Sequence, residues 1–569
     1  MRLINTETGQ FEEFFGSNVP SYAILSHTWE KEEVSFQDMK NGAFKKKKGY
    51  AKIFRTCQLT SDEGFRYAWV DTCCIDQSSS AELTEAINSM YRWYERSAIC
   101  YTYLSDLPAN ACLRTELPKC RWFTRGWTLQ ELIAPDEIHF FDRDWNLVGS
   151  KGELLEQLGE ITGIRQGVLR HTEPLSSICV AQKMSWAADR VTTRVEDTAY
   201  CLLGLFAVNM PLLYGEEEKA FRRLQEAVIH KTPDLSIFAW SLPRPSGGDE
   251  STRTYCGVLA DSPSAFSGCS QFIKRATTQR EFVVSNCGIK TQVQILWYPI
   301  PKSDGSRYVL PLDCSPRRGV YLGVRLRKCG PDQFVRESPW DLLEYTVPLW
   351  PSQPKERFLL AELPTTNAAG EPLLENMRLF IGQTRRHALQ VCRDPRFRTH
   401  AAWPSARYDD EDGLFFVSDD QLWDSGAMQL VLILSYPKGQ VRIPIKLELM
   451  FYALGWASTD PDTLQCSIID YKTHLSRLND AQHSISDWEH YRPQVIAELK
   501  HRDIPKRSAS VHPIPDTNHS VVVSFIPTLC QDSAVCMNKF WRITFSYKIC
   551  KNTTVPPPTL NRDWISQHD

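Results

Sequence analysis

Residues 67–104 read YAWVDTCCIDQSSSAELTEAINSMYRWYERSAICYTYL, and this stretch decides the fold class that the sequence predicts. It begins and ends with apolar runs, Tyr67–Asp71 and Ala98–Leu104, that suit buried strands. Between them the capping box Ser79-Ser-Ala-Glu82 opens a segment whose apolar residues recur at helical spacing: Leu83, Ile87, Met90 and Tyr94. A strand, a helix and a strand in this order predict a parallel α/β layer.

The same alternation extends through the first 150 residues. Tyr22–His27 and Glu137–Asp142 are two further apolar runs that suit buried parallel strands. We therefore expect residues 1–150 to form an α/β domain with a doubly wound parallel sheet.

Polar residues follow these strands at the points where each one ends. Ser26, His27 and Trp29 belong to the end of the first strand, and Asp71 and Asp76 follow the second. In open parallel sheets, ligands bind beyond the carboxyl ends of the strands. The sequence therefore predicts that these side chains line one cleft.

A second stretch, RWFTRGWTLQELIAP at residues 121–135, adds two arginines, a tryptophan and a glutamate to this region. On a helix, Trp127 and Glu131 share a face, and Arg121 and Arg125 lie just upstream. We expect an aromatic plate and a carboxylate to project together into the cleft. The alternative is a capping box over Thr128–Glu131, in which Glu131 serves only the helix start.

The remainder of the chain divides into a helical part and a β-rich part. Residues 151–240 are expected to form a helical extension, with a helix capped at Thr193–Glu196 that runs through Phe206 and a second one over Gly215–His230. Ser241–Arg253 is typical of a linker. Residues 254–569 contain alternating runs that predict one or two antiparallel β domains: 281–298, 320–326, 428–434, 441–452, 520–527 and 540–548.

Bulk composition excludes several classes of protein. With 65 basic and 68 acidic residues, the formal charge is −3, so nucleic acid is not an expected partner. The start has no apolar leader and no run reaches membrane-spanning length, which predicts a cytoplasmic protein. Its 18 cysteines are then expected to be mostly reduced and buried. No motif for a metal or a common cofactor is present.

Four motifs together closely resemble the heterokaryon incompatibility domain of filamentous fungi. They are AILSHTW at 23–29, WVDTCCID at 69–76, AELTEAIN at 81–88 and FTRGWTLQELIAP at 123–135, and the resemblance continues to about residue 240. That family is associated with non-self recognition and programmed cell death after hyphal fusion. The resemblance therefore implies a protein of fungal vegetative incompatibility.

This family is itself similar to Toll/interleukin-receptor domains, whose enzymatic members cleave NAD. By that similarity, Glu131 would be the catalytic carboxylate and Trp127 an aromatic wall for nicotinamide. Breaking the bond between nicotinamide and ribose creates an oxocarbenium-like centre that a carboxylate stabilises. We expect Arg125 or Arg121 to hold the pyrophosphate, with His27, Trp29, Ser26, Asp71 and Asp76 completing the binding site. NAD would be a substrate, and no cofactor is expected.

Two alternative functions are also consistent with the sequence. The domain could instead be a non-catalytic module that self-associates and recruits death-pathway partners, and catalysis itself could require a homo-oligomer. A thiol of Cys73 or Cys74, activated by His27, could also attack an acyl substrate. The β-rich half is expected to sense a trigger, inhibit the first domain or bind a protein partner.

Overall fold

The structure is a computed structural model. It describes residues 1–361, except residue 17 and the gaps 245–254, 276–280, 287, 293–294, 298–307, 331–332, 347–349 and 352–356, together with the backbone of strands between residues 388 and 551. Most of the predicted linker lies outside the described residues.

A mixed sheet organises the first 150 residues. Its strands are β1 Arg2–Asn5, β2 Phe11–Glu13, β3 Tyr22–His27, β4 Tyr67–Trp69, β5 Ile99–Tyr103, β6 Ile138–Phe141 and β7 Leu147–Ser150. Within the described residues the strand order is β2-β1-β4-β3-β5-β6-β7. The central strands β4, β3, β5 and β6 are parallel to one another. The outer strands β1, β2 and β7 are antiparallel additions that the sequence analysis did not predict.

The strand order creates a crossover point in the middle of this sheet. The chain goes from β3 to β4 on one side and then crosses back to β5 on the other side of β3. Connections that diverge from adjacent strands leave a crevice at the carboxyl ends of those strands. This crevice lies beyond His27 and Tyr103, the last residues of β3 and β5.

Helices connect these strands and continue to residue 231. They are α1 Phe36–Lys40, α2 Tyr50–Asp62, α3 Asp71–Cys74, α4 Ser80–Glu95, α5 Leu113–Glu116, α6 Thr128–Ile133, α7 Leu155–Thr162, α8 Gln166–Leu169, α9 Val180–Ser185, α10 Asp197–Tyr200, α11 Leu203–Phe206 and α12 Lys219–Lys231. Short 3-10 helices lie at Phe44–Lys46, Leu117–Lys119, Arg121–Thr124, Leu175–Ser177, Leu235–Phe238 and Pro263–Cys269.

Helix α4 confirms the predicted helix between β4 and β5, and half of its predicted capping box. The Ser79 side chain accepts from the backbone N–H of Glu82, as the motif requires. The Glu82 carboxylate instead accepts from the backbone N–H of Asp76, at 2.8 Å, and from Arg2, at 2.8 Å. Glu82 therefore ties the start of α4 to β1 and to the loop after β4.

The predicted helix through Phe206 is interrupted. Two single-turn helices, α10 and α11, replace it, and Ala207 ends the second in a left-handed conformation with φ of 51°. Gly204 of α11 packs against Tyr91 of α4 so closely that a Cβ at this position would lie 2.0 Å from the Tyr91 Cβ. The break therefore lets the chain follow the surface of α4.

Short strands follow the helices between residues 255 and 359. They are β8 Tyr255–Cys256, β9 Ile273–Lys274, β10 Phe282–Ser285, β11 Gly288–Thr291, β12 Leu296–Trp297, β13 Tyr308–Pro311, β14 Cys314–Ser315, β15 Tyr321–Gly330, β16 Gln333–Glu337, β17 Leu343–Tyr345, β18 Trp350–Pro351 and β19 Arg357–Leu359. In the described part of the chain, β9 and β14 pair with each other and the others join one sheet with the path β10-β11-β19-β16-β15-β13-β12-β18.

The last part of the chain is described as strands alone. They are β20 Ala388–Arg393, β21 Phe397–Trp403, β22 Tyr408–Asp409, β23 Leu414–Phe416, β24 Ser425–Lys438, β25 Val441–Leu454, β26 Gln465–Ile469, β27 Ala509–Pro513, β28 His519–Gln531 and β29 Lys539–Lys551. They form two sheets within those ranges, ordered β22-β23-β20-β29-β28-β27 and β21-β24-β25-β26. Each of the alternating runs singled out in the sequence contains or overlaps a strand.

The chain separates into two compact units. The first comprises Met1–Pro299, Ser306–Arg327 and Val335–Leu363, and the second Ile300–Gly305, Lys328–Phe334 and Pro364–Asp569. The first unit is mixed α/β, with parallel strands at its N-terminus, helices and then further strands.

Candidate functional site

A cavity of about 580 Å³ lies beyond the carboxyl ends of the parallel strands. Its wall carries three aromatic side chains, three guanidinium groups and two carboxylates, from Trp29, Trp127, Tyr214, Arg121, Arg125, Arg194, Asp71 and Asp197. The volume lies in the range of sites that enclose small organic ligands. Flat rings with cations and anions suit a ligand that has both planar and phosphorylated parts.

Asp71 is the carboxylate on the strand side of this cavity. It is the first residue of α3, immediately after β4, and only 9% of it is exposed. The indole N–H of Trp29 donates to its Oδ2 at 2.8 Å, while Oδ1 accepts no hydrogen bond from the described residues. Burial raises the pKa of Asp71, and Arg125 opposes that rise. This Oδ1 atom is itself buried and lies 3.8 Å from Nδ1 of His27.

Arg125 and Trp29 form the first arginine–aromatic pair of the wall. The Arg125 guanidinium carbon lies 5.3 Å from the centroid of the Trp29 ring, and its Nη1 donates to the His27 carbonyl at 3.3 Å. Trp29 is 42% exposed, so much of its ring surface is available to a ligand. A cation–π contact of this kind fixes the orientation of the ring.

Arg121 also lines the cavity but is already engaged. Its guanidinium donates to the Glu30 carboxylate and to Ser105 Oγ, the latter at 3.3 Å, and its Nε lies 3.5 Å from Asp106. A phosphate would have to displace these partners. Arg121 is therefore a weaker anion site than its position suggests.

The opposite wall comes from residues 191–214. Its backbone is attached to the 124–126 segment, because Val191 N–H donates to the Thr124 carbonyl at 2.7 Å and Gly126 N–H donates to the Val191 carbonyl at 2.9 Å. A Cβ on Gly126 would lie 2.5 Å from Thr192 Cγ2, so a glycine permits this close approach. This ladder fixes Arg194 relative to Arg125.

Glu131 lies in a buried layer beneath the wall and does not line the cavity. It is 3% exposed, and its Oε2 accepts from Ser26 Oγ, which in turn accepts from Trp122 Nε1 at 2.8 Å. Burial raises its pKa to about 7; Arg125 opposes this rise and Asp71 adds to it. Glu131 makes no capping bond, and Thr128 Oγ1 instead donates to the carbonyls of Trp122 and Arg125.

His27 belongs to the same buried layer. It is 3% exposed, and neither ring nitrogen forms a hydrogen bond with the described residues. Its nitrogens lie 3.8 Å from Asp71 Oδ1 and 3.9 Å from Glu33 Oε2. Burial, with the charges of Lys52 and Arg125, lowers the pKa of His27 well below its usual value. The imidazole is therefore neutral and does not form ion pairs with these carboxylates.

Asp76 and the paired cysteines do not join the cavity wall. Asp76 Oδ1 accepts from the N–H and Oγ of Ser78, at 3.0 and 2.6 Å, which is the geometry of a turn cap. Cys73 and Cys74 are buried, and burial raises the pKa of Cys73 well above the usual thiol value. The structure gives no support to a thiolate nucleophile here.

The chain is similar to known proteins over part of its length. Residues 22–119 match the family model described as heterokaryon incompatibility protein, and residues 219–301 match a domain of unknown function, DUF8212. The chain is 47% identical over 260 residues to the vegetative incompatibility protein HET-E-1 of Podospora anserina. Residues 22–119 are therefore similar to a heterokaryon incompatibility (HET) domain.

The two matches have limited extent. The alignment with HET-E-1 covers 43% of this chain and 19% of that protein, so the chain spans about a fifth of the length of the curated relative it matches. No solved structure matches the chain.

The cavity brings together five of the nine residues that the sequence predicts for the site. Those in the cavity wall are Trp29, Asp71, Arg121, Arg125 and Trp127. Ser26, His27 and Glu131 lie beneath the wall, and Asp76 caps a turn outside it. The matched model ends at residue 119, so Arg121, Arg125, Trp127 and Glu131 all lie beyond its range.

Sequence reasoning missed the part of the wall formed by residues 191–214. Arg194, Asp197 and Tyr214 occur in TTRVEDTAY at 192–200 and LYGE at 213–216. Both motifs are rich in polar and aromatic residues, as are the motifs at the ends of the parallel strands. This shared composition is the feature of the sequence that could have indicated a role in the site.

The described residues contain no group of three or more His, Cys, Asp and Glu side chains arranged to hold a metal ion. None of their helices combines the length and the hydropathy needed to cross a membrane.

Proposed function

We propose that the chain acts in heterokaryon incompatibility and that its HET-domain cavity binds NAD and cleaves the bond between nicotinamide and ribose. The observation that carries the proposal is the Asp71 carboxylate, which lines the same cavity as Trp29 and Trp127 and accepts a hydrogen bond from the Trp29 indole. A flat pyridinium ring can stack on an indole while the carboxylate faces the ribose.

Two further observations support this proposal. The parallel strands have the order β4-β3-β5-β6, which supports a doubly wound sheet of the Toll/interleukin-receptor kind. The relative HET-E-1 is named a vegetative incompatibility protein, which supports the same biological role for this chain.

The chemistry requires little from the protein beyond electrostatics. When the bond between the ribose C1′ and the nicotinamide nitrogen breaks, the electron pair leaves with nicotinamide, and positive charge develops on the ribose. Asp71 stabilises that charge and then accepts a proton from the water that attacks C1′. The products are nicotinamide and ADP-ribose, with one proton released.

Glu131 lies behind Asp71 in this proposal. Burial and the charge of Asp71 raise the pKa of Glu131 to about 7, so Glu131 holds a proton part of the time near neutral pH. We assign Glu131 to the support of the cavity wall and not to contact with the ribose. The resemblance to Toll/interleukin-receptor domains gives Glu131 the direct catalytic role instead.

A pair of isosteric variants separates these assignments. We expect Asp71→Asn to abolish nicotinamide release, and Glu131→Gln to retain it. The measurement is nicotinamide release by the full-length protein from pH 5 to pH 9. Complete loss of release in a folded Glu131→Gln variant, with activity kept in Asp71→Asn, would transfer the catalytic role to Glu131.

A second function, self-association, is favoured by exposed apolar side chains next to the cavity. Val191 is 67% exposed, and Val195 and Leu213 are each 50% exposed, on either side of Arg194 and Tyr214 in the chain. Exposed aliphatic side chains close to a site are typical of interaction surfaces. Sedimentation velocity of wild type and Val191→Asp at increasing concentration tests this function, and a monomer at every concentration would argue against it.

A further inference from the structure

We propose that Arg194, Tyr214 and Asp197 form a second subsite of the cavity that binds the phosphate-bearing half of a dinucleotide. The inference deepens the proposed function, because it rests on the same cavity and names the part of the ligand that the residue 191–214 wall would hold.

The three residues form one connected group. The guanidinium carbon of Arg194 lies 4.3 Å from the centroid of the Tyr214 ring, and the Tyr214 hydroxyl donates to Asp197 Oδ1 at 3.0 Å. Tyr200 packs edge-on against Tyr214, with ring centroids 5.5 Å apart. The Tyr214 ring is therefore held on two sides and supports Arg194 as a rigid platform.

Arg194 differs from the other two arginines of the wall in the state of its guanidinium. Arg121 is paired with Glu30, and Arg125 donates to the His27 carbonyl. Arg194 forms neither a hydrogen bond nor an ion pair through its side chain with the residues that the structure describes, although Asp197 is close enough to interact with its charge. A stacked guanidinium with open N–H groups is suited to bidentate binding of phosphate.

Asp197 and Thr193 add the polar groups that a nucleotide half requires. Burial raises the pKa of Asp197, while hydrogen bonds from Tyr214 and Trp127 oppose the rise. The carboxylate is half-buried and lines the cavity, so it can accept a ribose hydroxyl. Thr193 is exposed at the same wall and can donate its hydroxyl to a phosphate oxygen.

The position of this group relative to the strand ends indicates a ligand with two halves. Trp29 and Arg125 form one arginine–aromatic pair and Tyr214 with Arg194 forms another, in the same cavity of about 580 Å³. The backbone ladder between residues 124–126 and 191 keeps the two pairs at a fixed separation. A ligand with a ring at each end and phosphates between matches this arrangement better than a mononucleotide.

The test uses ADP-ribose as the phosphate-bearing probe and nicotinamide riboside as the phosphate-free probe. Calorimetric titrations of the full-length protein compare wild type, Arg194→Ala and Arg194→Lys, with Arg114→Ala as an exposed control outside the cavity. We expect Arg194→Ala to weaken ADP-ribose binding at least tenfold, as for a lost charge-assisted hydrogen bond, and Arg194→Lys to restore part of it. Binding of nicotinamide riboside stays within twofold.

Three outcomes would overturn the subsite: no binding of ADP-ribose to wild type, unchanged ADP-ribose binding in Arg194→Ala, or equal weakening of both probes. Melting curves of each variant verify that it is folded. NAD turnover by the same samples is scored separately. Wild type that binds ADP-ribose through Arg194 without cleaving NAD retains the subsite and removes the proposed activity, whereas cleavage that is insensitive to Arg194 does the reverse.

Discussion

The cavity wall and the buried layer beneath it contain similar residue types in opposite physical situations. Asp71 lines the cavity and accepts from Trp29 through Oδ2, whereas Glu131 lies beneath the wall and accepts from Ser26. Trp29 exposes 42% of its surface, whereas Trp122 is fully buried against Ser26. Residue type alone does not distinguish a ligand-binding group from a supporting one, because exposure and hydrogen-bond saturation determine that difference.

The largest expected effect comes from the wall. Asp71→Asn keeps an oxygen that can accept from Trp29 but loses the charge that faces the ribose, so nicotinamide release should fall at least 100-fold. The midpoint of thermal unfolding should change little. Nicotinamide release by full-length protein measures this effect, and Asp62→Asn on the exposed end of α2 is the matched control. An unaltered rate of nicotinamide release in this variant would show that Asp71 takes no part in the reaction.

The second expected effect is a pH dependence of stability that arises from Glu131 in the buried layer. Glu131 holds its proton up to a pKa of about 7 in the folded chain, but releases it near 4.5 when unfolded. Since the folded form binds more protons between these values, the free energy of unfolding decreases as the pH rises through this window. The protonated form of Glu131 contributes about 3 kcal/mol to the free energy of unfolding. This contribution is present in full below pH 4.5 and is lost above pH 7.

Glu131→Gln removes that titration. Relative to wild type, the variant should gain stability as the pH rises from 5 to 8, and urea unfolding at both values measures the difference. Other titrating groups are common to the two proteins and cancel. A constant difference between the variant and wild type across this range would mean that Glu131 is not buried in its protonated form.

A smaller loss of stability is expected when the hydrogen-bond chain of the buried layer is interrupted. Ser26→Ala leaves the Trp122 N–H and the Glu131 carboxylate without their shared partner, which costs about 2 kcal/mol of unfolding free energy. The NAD cleavage rate of the folded fraction should stay within a few-fold of wild type. Ser89→Ala on α4 is the control, and a variant as stable as wild type would contradict the account of the layer.

The smallest effect sharpens the role of the wall's aromatic surface. Trp127→Phe replaces the indole with a smaller flat ring, so we expect the KM for NAD to rise about threefold with kcat unchanged. Steady-state kinetics provide both constants. A fall in kcat with constant KM would move Trp127 from binding to chemistry.

The strands and α4 were predictable because their signals are local. Tyr22–His27 forms β3 with the predicted limits, and the Ser79 cap marks the start of α4 within one residue. The long alternating runs after residue 420 also form strands. Apolar periodicity and capping chemistry act within a few residues, so the sequence contains them directly.

The edge strands and the interrupted helix depend on distant contacts. β1 is placed by antiparallel pairing with β4, more than 60 residues later in the chain. α10 and α11 are separated where Gly204 meets Tyr91, and no local pattern encodes that contact.

The candidate site was predictable on one side only. Residues after parallel strands converge by topology, and two of those singled out on this ground, Trp29 and Asp71, line the cavity. The depth of Glu131 could not be predicted, because a helix that presents Trp127 and Glu131 on one side can tilt the glutamate into the layer or the cavity. The positions of Arg194 and Tyr214 at the cavity were also not predictable, because backbone hydrogen bonds between residues 124–126 and 191 place them there.

Cleavage of NAD through Asp71 is measured by incubating purified full-length protein with NAD over a range of protein concentrations and quantifying the products for wild type and Asp71→Asn. We expect equimolar nicotinamide and ADP-ribose from wild type and at least 100-fold less from the variant. A folded wild-type sample that releases no nicotinamide at any concentration would contradict it and leave self-association as the function of the domain.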